Sequence, residues 1–320
     1  MREFVQRRPL AVFAALLMIY GFGFFVLLPF AFGLDAPIVE GRQLREFGYI
    51  ALPLGLIRIP DNPVLIMFFG YGASPSLAGL TVAAMGWGRQ GVTEIFGRLR
   101  PWRHGIDVRK AVSAYVKIVF LFLLLCLMWI AAHLMINGVD GPSPFAGVKL
   151  TALLAAILVG LTLNPGGVLE EVAGYRGFLL PHLLNSGVSP IKAAILIAVL
   201  WIIWHHAVPF SPLLVSRDEL AASPQFWTRQ LPIFTSYMII GNVAISIIMT
   251  HFYLKTGSTL PAIMIHSGIN SVPFGLPLSS GSDSFASVPS QTLTFALMIA
   301  YALCAAAVLL TGGLRMEKVS

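Results

Sequence analysis

The chain has 320 residues, of which 57% are hydrophobic and only 11% are charged. Soluble domains average about 25% charged residues, so this composition excludes an ordinary soluble enzyme and indicates an integral membrane protein whose first partner is the lipid bilayer. The net charge of +7 is the basic excess that cytoplasmic loops of membrane proteins carry. We therefore expect no nucleic-acid partner.

Long apolar runs follow one another along the chain. A helix needs roughly 17–25 apolar residues to cross a bilayer, and the chain offers about eight such runs and a further one near its end. They cover residues 10–34, 63–87, 111–136, 146–163, 167–185, 188–210, 231–254, 258–275 and 292–313. The fourth and fifth runs count as one helix if it is broken near Pro165. The predicted fold is an all-α, polytopic bundle of about eight transmembrane helices.

The first apolar run follows a basic N-terminal segment, as in a signal peptide, but lacks an A-x-A-like cleavage site and is too long for a signal. We interpret it as the first transmembrane helix. Cys126 and Cys304 lie inside apolar runs, where free cysteine behaves as a small hydrophobe. They indicate neither a disulfide framework nor a metal cluster.

Basic residues are concentrated before the first run and between the second and third, which places both segments in the cytoplasm by the positive-inside rule. They are Arg2, Arg7, Arg8, Arg89, Arg98, Arg100, Arg103, Arg109 and Lys110. Arg315 and Lys318 follow the last run, so both termini are expected in the cytoplasm, and the serine-rich segment 279–291 is expected outside. The short loops favour a prokaryotic inner membrane.

The segment from Gly88 to Lys110 has two interpretations, a surface amphipathic helix or a solvated basic loop. We expect one membrane domain in three parts. Residues 1–147 hold N-terminal helices and the basic cytoplasmic loop, 148–275 form a core that carries the polar motifs, and 276–320 hold an outer loop and the last helix.

The first polar motif lies in the fifth run, where Glu170, Glu171 and Arg176 interrupt apolar sequence. Three charges at mid-bilayer would cost about 7–10 kcal/mol unless they are paired or hydrated, so we expect a polar cavity. Five residues separate Glu171 from Arg176, which is too far round a regular helix for a good pair. Arg176 is therefore expected to anchor another helix or a backbone terminus, and a purely structural Glu–Arg network is the alternative.

Two further polar motifs lie on later helices. Trp201 precedes His205 by four residues, and His266 stands one turn before Asn270 on the same helical face. A turn at 185–188 predicts an antiparallel hairpin in which Glu171 and His205 each lie roughly 24 Å from the turn. We therefore expect these two side chains at one depth.

A carboxylate with imidazoles can activate water, either as a general base or through a divalent metal. Glu171, His205 and His266 would also suit zinc. The other histidines in apolar runs are expected to be hydrogen-bonded core residues, with His206 open between the two interpretations. These are His133, His182 and His251.

On these motifs the sequence resembles the CPBP family of intramembrane proteases, which includes CAAX prenyl proteases and proteins of the bacteriocin-processing type. The family pattern is Glu-Glu-x-x-x-Arg, aromatic-x-x-x-His and His-x-x-x-Asn on separate helices. Trp201 to His205 and His266 to Asn270 match the second and third motifs, and the run from Tyr253 to His266 resembles the approach to the third. The resemblance spans roughly residues 148–273.

The first motif departs from that pattern, because four residues rather than three separate Glu171 from Arg176. Counting back from Arg176 puts Glu171 in the place of the catalytic glutamate, and counting forward from the pair puts Glu170 there. We favour Glu171 from its register relative to Arg176 and to the hairpin.

The resemblance implies that Glu171 activates a water, that His266 and Asn270 stabilise the oxyanion, and that His205 orients the water or binds a metal. Arg176 and Trp201 would support the site. Whether a zinc ion takes part stays open.

The predicted function is thus an intramembrane endopeptidase that acts on a membrane-associated peptide or protein, with prenylated proteins as one substrate class. One alternative is a family member that has lost catalysis and serves as a scaffold or immunity protein, as the shifted glutamates suggest. Another is a transporter, since broken helices and intramembrane carboxylates also mark transport sites.

Overall fold

The computed structural model describes residues 1–32, 52–57, 59, 64–137, 158, 160–208, 224–275 and 288–314. Within these ranges the regular secondary structure is helical and contains no strand. The all-α prediction is therefore confirmed.

The described helices include both membrane-length helices and short ones. The first half contains α1 (Arg2–Arg7), α2 (Pro9–Phe22), α3 (Leu28–Phe32), α4 (Leu52–Ile57), α5 (Val64–Gly97) and α6 (Val108–Asn137). The second half contains α7 (Pro165–Glu171), α8 (Leu180–Asn185), α9 (Pro190–His205), α10 (Leu231–Thr256), α11 (Leu260–Gly275) and α12 (Val288–Leu310). Turns of π-helix at Gly23–Leu27, Tyr175–Leu179 and Phe226–Gln230 lead into α3, α8 and α10 respectively.

Four stretches of the described residues are long and apolar enough to cross a bilayer. They are Pro9–Leu27, Leu65–Gly97, Val108–Met128 and Trp227–Thr256, and shorter apolar helices cover Pro190–His205 and Ala296–Leu310. The chain is thus an integral membrane protein, while the total of about eight spans stays a prediction. Most of the predicted run 146–163, most of the serine-rich segment, and Arg315 and Lys318 lie outside the described residues.

The basic segment between the second and third runs is part helix and part loop, while its position on the membrane surface stays a prediction. Helix α5 continues to Gly97 with a kink at Gly88, where φ is 63° and ψ is −145°, and a non-helical loop then leads to α6. That loop is tied to the turn between α10 and α11, because the Arg98 carbonyl accepts from the Thr259 amide at 3.0 Å and the Arg103 amide donates to the Thr256 carbonyl at 2.8 Å.

The broken glutamate segment lies at the centre of this arrangement. Helix α7 packs between α5 and α11, and α9 packs against α10. A turn beginning at Ser186 joins α8 to α9, which confirms the predicted hairpin. On the α5 side, the Ala173 amide donates to the Ser76 hydroxyl at 3.1 Å, so the chain just after the glutamates is held by a neighbouring helix.

Candidate active site

The glutamates stand at the end of a short helix whose start is defined by its sequence. Asn164 is the N-cap of α7 and accepts the Gly166 amide at 3.0 Å, and Pro165 occupies the first turn, where its missing N–H is not needed. Helix α7 ends at Glu171, residues 172–174 form a turn, and the π-helical turn begins at Tyr175. The predicted break near Pro165 is therefore followed by a second break directly after the glutamates.

This second break brings Arg176 back to Glu171. In a regular α-helix two residues five apart differ by about 140° in direction, and this difference underlies the expectation that they could not pair. Here the Leu179 amide bonds the Gly174 carbonyl five residues earlier at 3.0 Å, as in a π-turn. A Cβ at Gly177 would collide with the Val172 carbonyl oxygen, so the chain folds back closely on itself.

The result is a buried ion pair. Arg176 Nη1 lies 3.1 Å from Glu171 Oε1 and 3.3 Å from Oε2, and both side chains are fully buried. The expectation that the spacing prevents this pair is wrong, because the turn and the π-helical segment absorb the extra residue. The expectation that Arg176 also anchors another helix is confirmed, since its Nη2 donates to the Ser246 hydroxyl on α10 at 2.8 Å.

His266 on α11 contacts both glutamates. Its Nδ1 lies 3.0 Å from Glu171 Oε1, and its Nε2 lies 3.8 Å from Glu170 Oε1. The imidazole also packs on Trp201, with ring centroids 4.9 Å apart. Because Glu171 is a carboxylate held by Arg176, it favours the tautomer with a proton on Nδ1, which leaves the Nε2 lone pair directed towards Glu170.

Glu170 differs from its neighbour, because no arginine or lysine of the described residues pairs with it. It is buried, and its Oε2 atom has no hydrogen-bond partner among the described residues. The indole Nε1 of Trp201 lies near this carboxylate but is likewise buried without a hydrogen-bond partner in the described part of the chain. Buried polar atoms are nearly always satisfied, so this is the place in the site where a water or a substrate group would be accommodated.

Asn270 lies at the half-buried edge of the same site. Its Nδ2 donates to the Asn164 side-chain oxygen at 3.4 Å, and Asn164 donates in turn to the Ser271 hydroxyl at 3.4 Å. A Cβ at Gly166 would collide with Asn270 Nδ2 and lie 3.0 Å from His266 Nε2. The backbone at Gly166 therefore approaches the His266 and Asn270 side chains as only a glycine can.

His205 lies beside these groups without a hydrogen bond or ion pair to either glutamate among the described residues. Its ring packs on Trp204 and Trp201, with centroids 4.7 and 5.9 Å apart, and it is within electrostatic reach of His266. Trp201 lies one turn earlier on α9, and its ring is 5.6 Å from the Arg176 guanidinium carbon. Trp201 is therefore at the same depth as the ion pair.

The proposed metal ligands do not fit a divalent ion in this arrangement. No three His, Cys, Asp or Glu side chains of the described residues are placed to hold one. Glu171 directs both oxygens to Arg176, and His205 stands apart from Glu171. We derive no chemical step through a metal.

His182, His206 and His251 have hydrogen-bond partners, as predicted for His182 and His251 as core residues. His182 Nδ1 bonds the Phe178 carbonyl at 2.9 Å and His251 Nδ1 the Gly313 carbonyl at 2.7 Å. His206 Nδ1 bonds the Ile202 carbonyl at 2.7 Å, and its Nε2 lies 3.0 Å from the Thr235 hydroxyl. The side chain of His133 lies outside what the structure describes.

Three residues of this site carry no sequence motif that points to them directly. Asn164 and Gly166 belong to the segment that signals a helix break, but their contacts to Asn270 depend on how α11 packs. Ser246 is one serine in an apolar helix, and nothing in its local sequence distinguishes it.

Part of the chain matches a known protein family. Residues 150–272 match the family model described as type II CAAX prenyl endopeptidase Rce1-like. The resemblance to the CPBP intramembrane proteases is thereby confirmed. The family implies a membrane protease, a hydrolase acting on peptide bonds. No curated protein matches the chain.

Proposed function

We propose that this protein is an intramembrane endopeptidase in which Glu170 is the general base. The observation that carries this proposal is the difference between the two adjacent glutamates. Glu171 is neutralised by Arg176, whereas Glu170 has a buried oxygen without a partner among the described residues. A carboxylate whose charge is already paired is a poor proton acceptor, and an unpaired one in an apolar site is a good one.

A water fits between Glu170 and His266. Their atoms Oε1 and Nε2 are 3.8 Å apart, so a water about 2.8 Å from each can donate one hydrogen to each. Its oxygen lone pair then points away from both groups, towards a substrate carbonyl. The water oxygen bonds to the carbonyl carbon, Glu170 takes the proton, and the C–N bond breaks as that proton passes to the leaving amine.

The oxyanion that forms needs a donor at the mouth of the site, and Asn270 supports that role. Its amide Nδ2 is half-buried and close to the Gly166 backbone, and an amide fixed before the reaction stabilises negative charge without reorganising. Glu171 and Arg176 orient His266, and Trp201 walls the water off from lipid. His205 completes the polar lining on the α9 side.

We also propose that the active domain spans residues 148–275 and that both termini lie in the cytoplasm of a prokaryotic inner membrane. Exposed basic side chains support this orientation: Arg7 and Arg8 flank the start of α2, Arg89 lies near the end of α5, and Arg100 and Arg103 follow α5. The substrate would be a membrane-associated peptide or protein. The family match makes prenylated peptides the first class to test.

The test is cleavage by the full-length chain in lipid nanodiscs. Wild type and Glu170→Gln would be incubated with a peptide library that includes farnesylated, geranylgeranylated and unmodified members, and products would be identified by mass spectrometry. We expect defined cleavage by wild type and none by Glu170→Gln. If folded wild type cleaves no peptide, the hydrolase proposal fails and a scaffold role becomes the better explanation.

A further inference from the structure

We propose that Ser246 is a positioning residue, and that its hydroxyl fixes the Arg176 guanidinium against Glu171. The expected effect of Ser246 on turnover rests on the proposed protease function, whereas its effect on the ion pair does not. Ser246 lies on α10, a different helix from either member of the ion pair, and it is fully buried. No motif of the protease pattern includes it.

The Ser246 hydroxyl makes two hydrogen bonds, and the donor and acceptor of each can be assigned. It lies 2.8 Å from Arg176 Nη2 and 2.7 Å from the Ala194 carbonyl oxygen. An arginine side chain has donors only and a carbonyl has acceptors only. The hydroxyl must therefore accept from Arg176 and donate to Ala194, so it has one orientation that satisfies both neighbours.

This bridge determines where the guanidinium points. Arg176 uses Nη1 for Glu171 and Nη2 for Ser246, while its buried Nε atom has no partner among the described residues. Without the serine hydroxyl, Glu171 would be the one hydrogen-bond partner of the guanidinium among the described residues. Glu171 would then lose its defined direction, and so would the Nδ1 bond by which it orients His266.

The bridge also connects three elements that are far apart in the sequence. Ala194 belongs to α9, Ser246 to α10 and Arg176 to the π-helical turn. Because α9 carries Trp201 and His205, one hydroxyl sets the position of the ion pair relative to the α9 side of the site. This series of hydrogen bonds fits a positioning role, since hydrogen bonds to charged groups contribute more to stability than hydrogen bonds between neutral groups.

Helix α10 supplies a matched control one turn away. Thr250 is also fully buried, and its Oγ1 has no hydrogen-bond partner among the described residues. Thr250→Val removes a hydroxyl of the same helix while keeping the side-chain shape. Ser246→Cys keeps the size of the serine with a weaker donor and acceptor, and Ser246→Ala removes the group.

The first readout does not depend on catalysis. A hydrophobic carbodiimide modifies protonated carboxyl groups, and a carboxylate held as an ion pair resists it. The protein is labelled in nanodiscs, and the label is assigned to Glu170 or Glu171 by fragmentation of the peptide that contains both. We expect modification of Glu171 to rise severalfold in Ser246→Ala, less in Ser246→Cys, and not at all in Thr250→Val. Unchanged modification of Glu171 in folded Ser246→Ala or Ser246→Cys would overturn the inference.

The second readout is kinetic and uses whichever library peptide wild type cleaves. A small displacement of catalytic groups typically costs on the order of tenfold to a hundredfold, so kcat should fall by that factor in Ser246→Ala while KM stays close to wild type. A change in KM alone would contradict positioning. Altered carbodiimide labelling in a protein without turnover would uphold the Ser246 role and reject the protease proposal, so the two failures are distinguishable.

Discussion

Arg176 binds both carboxylate oxygens of Glu171 across a spacing of five residues, with Nη1–O distances of 3.1 and 3.3 Å. Both side chains are fully buried. This relationship assigns different environments to two adjacent glutamates, because Glu171 is charge-compensated and Glu170 is not. This difference supports the proposal that Glu170 accepts the proton.

The ion pair should show the energetics of a buried salt bridge. Removing one partner leaves an uncompensated buried charge, so we expect Glu171→Leu to lose about 3–5 kcal/mol of stability. The double variant Glu171→Leu, Arg176→Met replaces both charges with apolar groups and should recover most of that loss. Thermal unfolding in a fixed detergent measures both. If the double variant were no more stable than Glu171→Leu, the pair would not be coupled as described.

Glu170 should behave in the opposite way. No arginine or lysine of the described residues pairs with it, so Glu170→Gln should leave the unfolding temperature near that of wild type. Loss of a general base lowers turnover by about 10²–10⁴-fold, and we expect kcat to fall in that range. A Glu170→Gln protein with wild-type turnover would return the base role to Glu171, as the sequence register favours.

Asn270 should matter for turnover more than for folding. Asn270→Asp keeps the shape of the side chain but replaces the Nδ2 donor with an acceptor facing the Asn164 oxygen. Losing one oxyanion donor costs about 10²–10³-fold in kcat. The measurement is kcat and KM on one cleaved peptide, with thermal unfolding run in parallel. A loss expressed mainly in KM would indicate a substrate-binding role instead.

Gly166 should tolerate no side chain. A Cβ there would collide with Asn270 Nδ2 and come within 3.0 Å of His266 Nε2, so Gly166→Ala should reduce kcat by about tenfold or more through displaced catalytic groups. The matched control is Gly23→Ala, because a Cβ at Gly23 meets nothing within 4 Å. Its helical backbone predicts unchanged activity and a stability gain of up to about 1 kcal/mol. Equal activity in the two variants would show that the approach of Gly166 to the site has no catalytic consequence.

Metal dependence can be measured directly. Since the described side chains do not form a three-ligand set, we expect cleavage to persist after dialysis against a strong chelator and to gain nothing from added zinc. Elemental analysis of the purified protein should accompany the assay. Chelator-sensitive activity restored by a stoichiometric divalent ion would reinstate the zinc expectation.

Much of this protein could be read from its sequence, because the relevant signals are local. Apolar runs identify membrane helices, and the turn near Asn185 identifies the hairpin. His266 and Asn270 share a face in any regular helix. The three polar motifs on separate apolar helices form a specific combination, and they are sufficient to show the resemblance to a protease family whose model matches residues 150–272.

The tertiary structure determined which side chains of the site contact each other. In a regular helix Glu171 and Arg176 would point in different directions and could not pair. The turn and the π-helical segment that follow Glu171 bring the two side chains together. Ser246 and Asn164 act through partners 70 and 106 residues away, Arg176 and Asn270 respectively. Such contacts depend on how the helices pack against one another, and no local pattern of apolar and polar residues specifies that packing.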